Sequence, residues 1–306
     1  MMQDSQTNNL APIALFAYNR LDYLQQTIEA LKKNELASDS ELIIISDGPK
    51  NQEASIKVKD VRKFLRTVSG FKSITIIERE KNFGLANNII AGTTEIVTQY
   101  GKIIVLEDDL VTSPYFLRYM NSALDLYEHN EAVISIHAYM YPVDESLPQT
   151  FFIKGADCLG WATWARGWKL FESNGEILLN KLISQKKKYE FDFNNTYPYL
   201  RMLQDQIVGK NSSWAVRWYA SAFLTDKLTL YPCKTLVSHI GYDSGTHCNG
   251  QIQLPEQLCE NPMKVQPIPV QENEEAKKEI MRYFRNKKVS LILRIWRKVR
   301  SIIRRI

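Results

Sequence analysis

The chain has 306 residues, of which 44% are hydrophobic and 24% charged, an ordinary composition for a globular protein with one large α/β domain or two smaller ones. Its net charge of +5 is unevenly distributed, because residues 277–306 carry twelve Lys and Arg against one Glu and the remaining chain is mildly acidic. This balance argues against a nucleic-acid-binding body, and the four cysteines form no CxxC pair that would indicate a zinc site.

The N-terminal part of the chain predicts a leader followed by the first strand and helix. Residues 1–10 are polar and lack the order of a signal peptide, so we expect a disordered leader. No later stretch is apolar for long enough to span a bilayer, which predicts a cytosolic protein. Residues 11–17 form a predicted strand, and a loop with Asn19 and Arg20 leads to a helix with apolar residues at helical spacing.

Three further strands follow at regular intervals. Residues 41–46 read as a strand that turn residues end at Asp47, and residues 73–77 read as the next strand. A helix opened by residues 82–88 leads to a fourth strand at residues 102–106. Strands that alternate with helices of this length predict right-handed βαβ units, and therefore an α/β protein with a mostly parallel sheet flanked by helices.

Three consecutive carboxylates, Glu107, Asp108 and Asp109, follow the fourth strand. Open α/β sheets bind their ligands at the carboxyl ends of the strands. Adjacent acids repel one another, and a divalent cation such as Mg²⁺ or Mn²⁺ would offset their charge. These residues therefore suggest a metal site, with a solvated acidic turn as the alternative.

The next part of the chain combines regular elements with a segment rich in glycine and tryptophan. The pattern predicts a helix at residues 114–127, a strand at residues 132–138 and the Gly-Trp segment at residues 151–168. Glycines beside indole rings let a sugar ring approach the backbone. Trp161 is the candidate ligand contact, whereas the two later tryptophans are equally consistent with helix packing.

The last part of the body predicts a lysine-rich loop at residues 181–195, an aromatic core helix at residues 214–225 and a strand at residues 228–237. A Gly- and Ser-rich loop with two histidines follows this strand. A flexible loop of this kind can close over a bound ligand, and His247 is its candidate contact residue. A structural or solvated histidine is the alternative.

The C-terminal segment predicts an irregular linker at residues 255–275 and a basic amphipathic helix at residues 276–306. From Val289 to Ile306, apolar residues recur at helical spacing and Lys and Arg lie largely opposite them. Helices with this pattern lie at the surface of anionic membranes. Docking on the protein's own body and binding of nucleic acid are the alternatives.

Four short motifs stand out in the chain: Asn19-Arg20, Ser46-Asp47-Gly48, Glu107-Asp108-Asp109 and Leu159-Gly160-Trp161. Together they resemble the GT-A fold of nucleotide-sugar glycosyltransferases. More narrowly, the chain resembles the Golgi alpha-1,3-mannosyl-glycoprotein beta-1,2-N-acetylglucosaminyltransferase family, which begins complex N-glycans, and its bacterial relatives. The resemblance implies one Rossmann-like GT-A domain at residues 11–254, and it is weakest at residues 181–211.

The resemblance implies a role for each matching residue. Asp109 would be the protein ligand of Mn²⁺, or of Mg²⁺, and His247 would be a second metal ligand and donor contact. Asp47 would accept a hydrogen bond from the uracil ring of a UDP-sugar. Arg20 would lie at the nucleotide end of the cleft. The remaining implied contacts to the donor are Asn88, Glu107, Asp108 and Trp161.

The general base of that family has no counterpart here, because the matching segment at residues 212–218 contains no carboxylate. An inverting transfer needs a base within hydrogen-bond reach of the acceptor hydroxyl. The replacement candidates are Asp205 first, then Asp243 and Asp157. Without any base, the protein would be retaining, weakly active or inactive.

These observations predict a glycosyltransferase that uses a UDP-sugar to modify a glycan or lipid-linked acceptor in surface-polysaccharide synthesis. The basic tail would hold it at the cytoplasmic face of an anionic membrane. A metal-dependent phosphohydrolase would need a nucleophilic Asp where the chain has Asn19 and Arg20. A carbohydrate-binding scaffold without activity is the other alternative. The sugar, the acceptor, the linkage, the stereochemistry and the oligomeric state stay open.

Overall fold

The computed structural model of the chain describes residues 10–143, 146–241 and 256–287. Within them the strands are β1 (Ile13–Ala17), β2 (Glu41–Ser46), β3 (Ser73–Glu78), β4 (Lys102–Glu107), β5 (Leu110–Thr112), β6 (Val133–His137), β7 (Thr150–Lys154), β8 (Trp161–Trp164), β9 (Leu228–Pro232) and β10 (Val237–His239). The helices are α1 (Leu21–Lys32), α2 (Gln52–Leu65), α3 (Leu85–Tyr100), α4 (Phe116–Leu126), α5 (Ala165–Trp168), α6 (Gly175–Ser184), α7 (Lys188–Phe191), α8 (Tyr199–Ile207) and α9 (Ala215–Leu224). Residues 274–287 are also helical and are called here the C-terminal helical segment.

The first half of the described chain has the predicted alternation of strands and helices. Strands β1 to β4 are parallel and lie in the order β3-β2-β1-β4. Strands β1 and β4 are buried along nearly their whole length, which is why each is a continuous apolar run in the sequence. Because the chain proceeds from β1 to one side and returns on the other, the carboxyl ends of β1 and β4 form a topological switch point.

The second half of the sheet contains a strand inserted between two others. Strand β8 pairs antiparallel with both β4 and β6, and β9 and β7 complete the eight-stranded sheet of the described chain. Helices α3 and α4 pack against this sheet. The predicted α/β fold, with a mostly parallel sheet flanked by helices, is confirmed.

A separate two-stranded antiparallel sheet lies directly beyond the three acids. In it β5 pairs with β10, and Leu110 lies opposite His239. The pairing joins two parts of the chain that are far apart in the sequence. It therefore positions residues of the β10 region beside the end of β4.

Trp161 does not lie at the surface, which corrects the prediction that it contacts a ligand. Its side chain is 0% exposed, because β8 is an interior strand of the sheet and both of its faces are covered. The Trp161 ring lies 5.6 Å from that of Trp168, 5.4 Å from that of Trp214 and 5.7 Å from that of Trp218, measured between centroids. Trp161 thus has a packing role, which the sequence pattern indicated only for Trp164 and Trp168.

The predicted linker and the start of the predicted tail helix pack on the body. Cys259 and Met263 are buried in the main core. Ala276, Ile280 and Phe284 of the C-terminal helical segment are buried in a second core with aromatic residues of the body. The segments on the two sides of the predicted boundary at 275/276 thus both pack on the body, in two different apolar clusters. The division of the chain at this point stays a prediction.

The expected membrane-binding stretch at residues 289–306 lies outside the described residues. Among the helices that the structure describes, none combines the length and the apolar character that crossing a bilayer requires.

Candidate active site

The three acids meet Arg20 at the switch point between β1 and β4. Arg20 directly precedes α1, and its guanidinium contacts the carboxylate of Asp108. Its Nη1 also lies 2.8 Å from Oδ2 of Asp109. The backbone N–H of Tyr18 donates to Oδ2 of Asp108 at 3.3 Å. The hydroxyl of Thr27 donates to the backbone carbonyl oxygen of Asp108 at 2.9 Å. The loop after β1 thus fixes both aspartates.

Burial and mutual repulsion alter the acidity of these carboxylates. Burial, followed by the charges of Asp109 and Asp108, raises the pKa of Glu107 to about 8. Burial raises the pKa of Asp108 to about 6, against the opposing effect of Arg20. Burial also acts on Asp109, but its hydrogen bonds with His239 and Arg20 more than offset burial, so its pKa is lowered. Asp109 is therefore the acid that stays ionised most readily.

His239 contributes an imidazole to this site. The pairing of β10 with β5 brings Nε2 of His239 to 3.1 Å from Oδ2 of Asp109. Gly241 lies against the same group, since a Cβ there would lie 2.4 Å from Asp109 Oδ2 and 2.9 Å from Arg20 Nη1. From the sequence, His247 was the predicted contact and the importance of His239 was missed. The available signal was that His239 is the first histidine of the loop predicted to follow the strand at residues 228–237.

Asp109 and His239 are side chains of the types that bind divalent cations. Among the residues that the structure describes, no group of three or more His, Cys, Asp and Glu could hold a metal ion. Cations such as Mg²⁺ commonly use one or two protein groups, with substrate phosphates and water as the other ligands. Two ligands that each lie about 2.1 Å from one ion, at right angles, are separated by about 3 Å. The observed 3.1 Å is the length of a hydrogen bond between the two side chains, and it is also compatible with this spacing.

Asp47 holds the loop that follows β3. Its Oδ1 accepts hydrogen bonds from the backbone N–H groups of Gly48 and Phe83, at 2.9 Å and 2.8 Å. Its Oδ2 accepts from the Asn82 side chain and the Gly84 N–H, both at 3.0 Å. Four donors fill the usual accepting capacity of a carboxylate. The predicted contact between Asp47 and uracil stays a prediction, and it would require one of these donors to share its oxygen.

Asn88 lies within the described residues, whereas His247 does not. Asn88 is buried on α3, and its Oδ1 lies 3.4 Å from Nε of Arg79. Its donor contact therefore also stays a prediction. His247, together with the base candidate Asp243, lies outside the described residues.

Asp205 lies on α8, which packs against α6, α7 and α9. Its Oδ2 is 3.1 Å from Nε of Arg201, and its Oδ1 is 3.8 Å from Nζ of Lys210. None of these helices carries Arg20 or the acids at the end of β4. The structure therefore does not bring Asp205 together with the predicted donor residues in any contact of the described chain.

Asp157 is the base candidate that lies near the acids. Strand β8 runs antiparallel to β4 with Val105 opposite Trp161, so the loop before β8, which contains Asp157, lies beside the end of β4. After burial, the charges of Asp157 and Glu107 raise the pKa of the Cys158 thiol. Both carboxylates therefore lie within electrostatic reach of one thiol.

The carboxylate of Asp157 is oriented by three donors. The hydroxyls of Tyr141 and Tyr231 donate to Oδ2 at 3.2 Å and 3.3 Å, and the backbone N–H of Cys158 donates to Oδ1 at 2.8 Å. The side chain of Asp157 is 18% exposed to solvent. It is thus a fixed but accessible carboxylate.

A protein-family model and several solved structures are similar to this chain. The family model described as "Glycosyl transferase family 2" matches residues 13–190. The solved structure of the mannosyltransferase PcManGT from Pyrobaculum calidifontis in complex with GDP-Man and Mn²⁺ aligns at 11% identity over 45% of this chain and 40% of that chain, with a TM-score of 0.31. That of S. aureus TarS 1–349 aligns at 13% identity over 52% of this chain and 48% of that chain, with a TM-score of 0.34.

The TarS 1–349 structure in complex with UDP-GlcNAc aligns at 15% identity over 45% of this chain and 37% of that chain, with a TM-score of 0.31. The chain thus spans less than half of each of these structures. A comparison with curated proteins gives no match.

Proposed function

Because the chain belongs to glycosyl transferase family 2, we propose that it is an enzyme that transfers a sugar from a nucleotide sugar to a hydroxyl group of an acceptor. The observation that carries this proposal is the meeting of Arg20, Asp109 and His239 at the switch point of the sheet. An anionic nucleotide diphosphate needs a cationic environment at this position. A metal held by Asp109 and His239, with Arg20 beside it, would provide that environment.

We propose that the donor is a UDP-sugar and that Mn²⁺ or Mg²⁺ accompanies it. Asp109 and His239 would hold the ion, which would stabilise the negative charge that develops on the departing diphosphate. Arg20 can contact the diphosphate from the same side. Glu107 and Asp108 remain the proposed contacts to the sugar and the ribose, and Asp47 with the loop that it holds remains the proposed uracil contact.

Asp157 is the proposed general base of an inverting transfer. Its carboxylate would take the proton of the acceptor hydroxyl while the hydroxyl oxygen bonds to the anomeric carbon and the bond to the diphosphate breaks. Its partly exposed side chain and the position of its loop beside the end of β4 favour it over Asp205.

The finer identity of the reaction is proposed from the sequence resemblance. It favours the Golgi N-acetylglucosaminyltransferase family and its bacterial relatives, and hence N-acetylglucosamine as the transferred sugar. The acceptor would be a glycan or a lipid-linked saccharide of a surface polysaccharide. The basic pattern of residues 289–306 supports peripheral binding to the cytoplasmic face of an anionic membrane.

The test is release of UDP from a panel of UDP-sugars by the full chain, with and without Mn²⁺. We expect metal-dependent release with at least one donor and its loss in Asp109→Asn. UDP binding without release from any donor would instead favour a scaffold with the fold of the family. A protein that neither binds UDP nor releases it would refute the proposed function.

A further inference from the structure

A group of five tyrosines lies next to Asp157 and takes no part in the proposed donor site. We call it the tyrosine wall; its residues come from the chain after β6, from the region around the start of α8, from β9 and from the C-terminal helical segment. Its members are Tyr141, Tyr197, Tyr199, Tyr231 and Tyr283.

Ring contacts and hydrogen bonds join the tyrosine wall to Asp157. The Tyr141 and Tyr231 hydroxyls donate to Oδ2 of Asp157. The rings of Tyr141 and Tyr283 lie 5.5 Å apart, and those of Tyr197 and Tyr199 lie 4.5 Å apart, between centroids. Tyr141 and Tyr231 thus contact the carboxylate directly, and Tyr283 joins them through the ring of Tyr141.

The composition and the exposure of the wall indicate a binding surface. Tyr231 is buried, but the other four tyrosines are only partly buried, and Asp157 also keeps part of its surface. A tyrosine ring combines an apolar face with a hydroxyl that can donate and accept hydrogen bonds. Partly exposed rings beside a carboxylate match the chemistry of a saccharide, which has apolar ring faces and many hydroxyls.

The C-terminal helical segment is built into this surface. Phe284 is buried with its ring 4.9 Å from that of Tyr141 and 4.7 Å from that of Tyr197, and it fixes the neighbouring Tyr283 at the wall. Ile280 is buried in the same cluster, one turn earlier. The segment therefore approaches the site through its own core contacts.

A second connection runs from the wall region toward the proposed metal pair. Glu256 accepts a hydrogen bond from the Tyr139 hydroxyl at 2.5 Å. The backbone N–H of Glu256 donates to Oγ of Ser238 at 3.2 Å, and Ser238 precedes His239 in β10. The ring of Tyr139 lies 5.2 Å from that of Tyr141, so these contacts connect the tyrosine wall with the strand that carries His239.

We propose that Asp157 and the tyrosine wall form the binding subsite for a saccharide acceptor, and that the C-terminal helical segment is part of this subsite through Tyr283. The inference rests on the proposed function, because it identifies the class of the second substrate. The segment expected to serve only as the start of a membrane tail then also takes part in acceptor recognition. An acceptor presented at a membrane would meet the enzyme on the side where the tail begins.

The test measures binding of p-nitrophenyl glycosides of common hexoses and N-acetylhexosamines to the full chain by saturation-transfer NMR, with UDP and Mn²⁺ present. We expect at least one glycoside to bind. We expect Tyr283→Ala to weaken that binding by about tenfold or more, as for other buried aromatic contacts. The control is Tyr189→Ala on α7, whose side chain is largely exposed and should bind glycosides like the wild type.

A second variant, Tyr283→Leu, keeps most of the apolar volume and is therefore less at risk of unfolding. The melting temperature of each variant shows whether it is folded. Equal glycoside binding by the wild type and by folded Tyr283 variants overturns the subsite. Absence of glycoside binding by a wild type that releases UDP from a donor also overturns it, and leaves the proposed function standing. A wild type that binds glycosides at Tyr283 but does not bind UDP supports the saccharide site and refutes the proposed function.

Discussion

Nη1 of Arg20 lies 2.8 Å from Oδ2 of Asp109, the same oxygen that lies 3.1 Å from Nε2 of His239. A permanent cation and an imidazole therefore share one carboxylate oxygen. Since Arg20 also contacts Asp108, it offsets the charge of two buried aspartates. This pairing explains how the folded chain accommodates two adjacent buried aspartates.

Removal of this cation should weaken the fold. The side chain of Arg20 is 23% exposed, so we expect Arg20→Ala to lower the free energy of unfolding by about 1 to 3 kcal/mol, below the cost of breaking a fully buried pair. Mn²⁺ should restore part of this loss, because it would bind the folded state in the same place. Urea unfolding with and without Mn²⁺ measures both effects. Arg201→Ala, at a side chain that is 66% exposed, is the control and should change little.

The proposed metal pair predicts a specific effect of a histidine. His239→Ala should weaken Mn²⁺-dependent binding of UDP by about tenfold or more, because an ion would lose one of its two protein ligands. Isothermal titration with UDP in the presence of Mn²⁺ measures this change. His129→Ala is a matched control, since the His129 side chain is 95% exposed. Equal affinities of the two variants would remove His239 from the metal site.

The assignment of the base predicts different consequences for two aspartates. Asp157→Asn should lower the rate of transfer by about 10² to 10⁴-fold, the usual contribution of a general base, and leave UDP affinity nearly unchanged. Asp205→Asn should have little effect on either quantity. Initial rates with a saturating UDP-sugar and acceptor make the comparison. The opposite ranking of the two variants would move the base to Asp205.

The tryptophan cluster predicts a structural role for Trp161. Trp161→Ala should lower the free energy of unfolding by about 3 to 5 kcal/mol, because a fully buried ring would be replaced by a cavity among three other indoles. Trp161→Phe should cost less, since it keeps much of the volume. Chemical unfolding measures the stabilities. A UDP affinity that falls in folded Trp161→Phe while stability is unchanged would contradict this role.

The burial of the His137 side chain predicts that the stability of the protein depends on pH. Burial lowers its pKa, against smaller opposing effects of Asp157 and of a backbone hydrogen bond. The unfolded chain therefore takes up the proton first as the pH falls below about 6.5, and stability is lost in that window by at most about 1.4 kcal/mol per pH unit. His137→Asn removes this titration.

Urea unfolding of both proteins between about pH 5 and pH 8 tests the His137 prediction, because other groups titrate equally in the two proteins. We expect a flatter pH profile for His137→Asn, even though the variant loses the hydrogen bond that the His137 ring accepts from the Leu159 N–H. Parallel profiles would show that the histidine does not titrate between the folded and unfolded states.

The sequence predicts the first half of the fold well because the information there is local. Strands β1 to β4 are short apolar runs that alternate with helices, and the acids follow one of them directly. The site beyond the acids depends on contacts between distant parts of the chain. His239 reaches Asp109 only because β10 pairs with β5, and no periodicity along the sequence specifies that pairing.

Two other features of the structure could not be predicted from local sequence patterns. Trp161 belongs to a strand of four residues, too short for its alternation to distinguish a buried strand from a glycine-rich loop. The C-terminal helical segment continues into a basic pattern that indicates a membrane surface, yet its first turns have an apolar face that packs on the body. The periodicity predicts that a face is buried, but it does not identify the surface that buries it.

The insertion of β8 between β4 and β6 also has a consequence for how the protein can be synthesised and folded. A nascent chain that has emerged only as far as residue 143 contains β4 but not its second neighbour, so β4 would be an unpaired edge with a row of free N–H and C=O groups. Such an edge is a template for pairing with another chain. The strand that carries the acids is therefore protected from aggregation only after residues 161–164 arrive, and N-terminal fragments that stop before them should be poorly soluble.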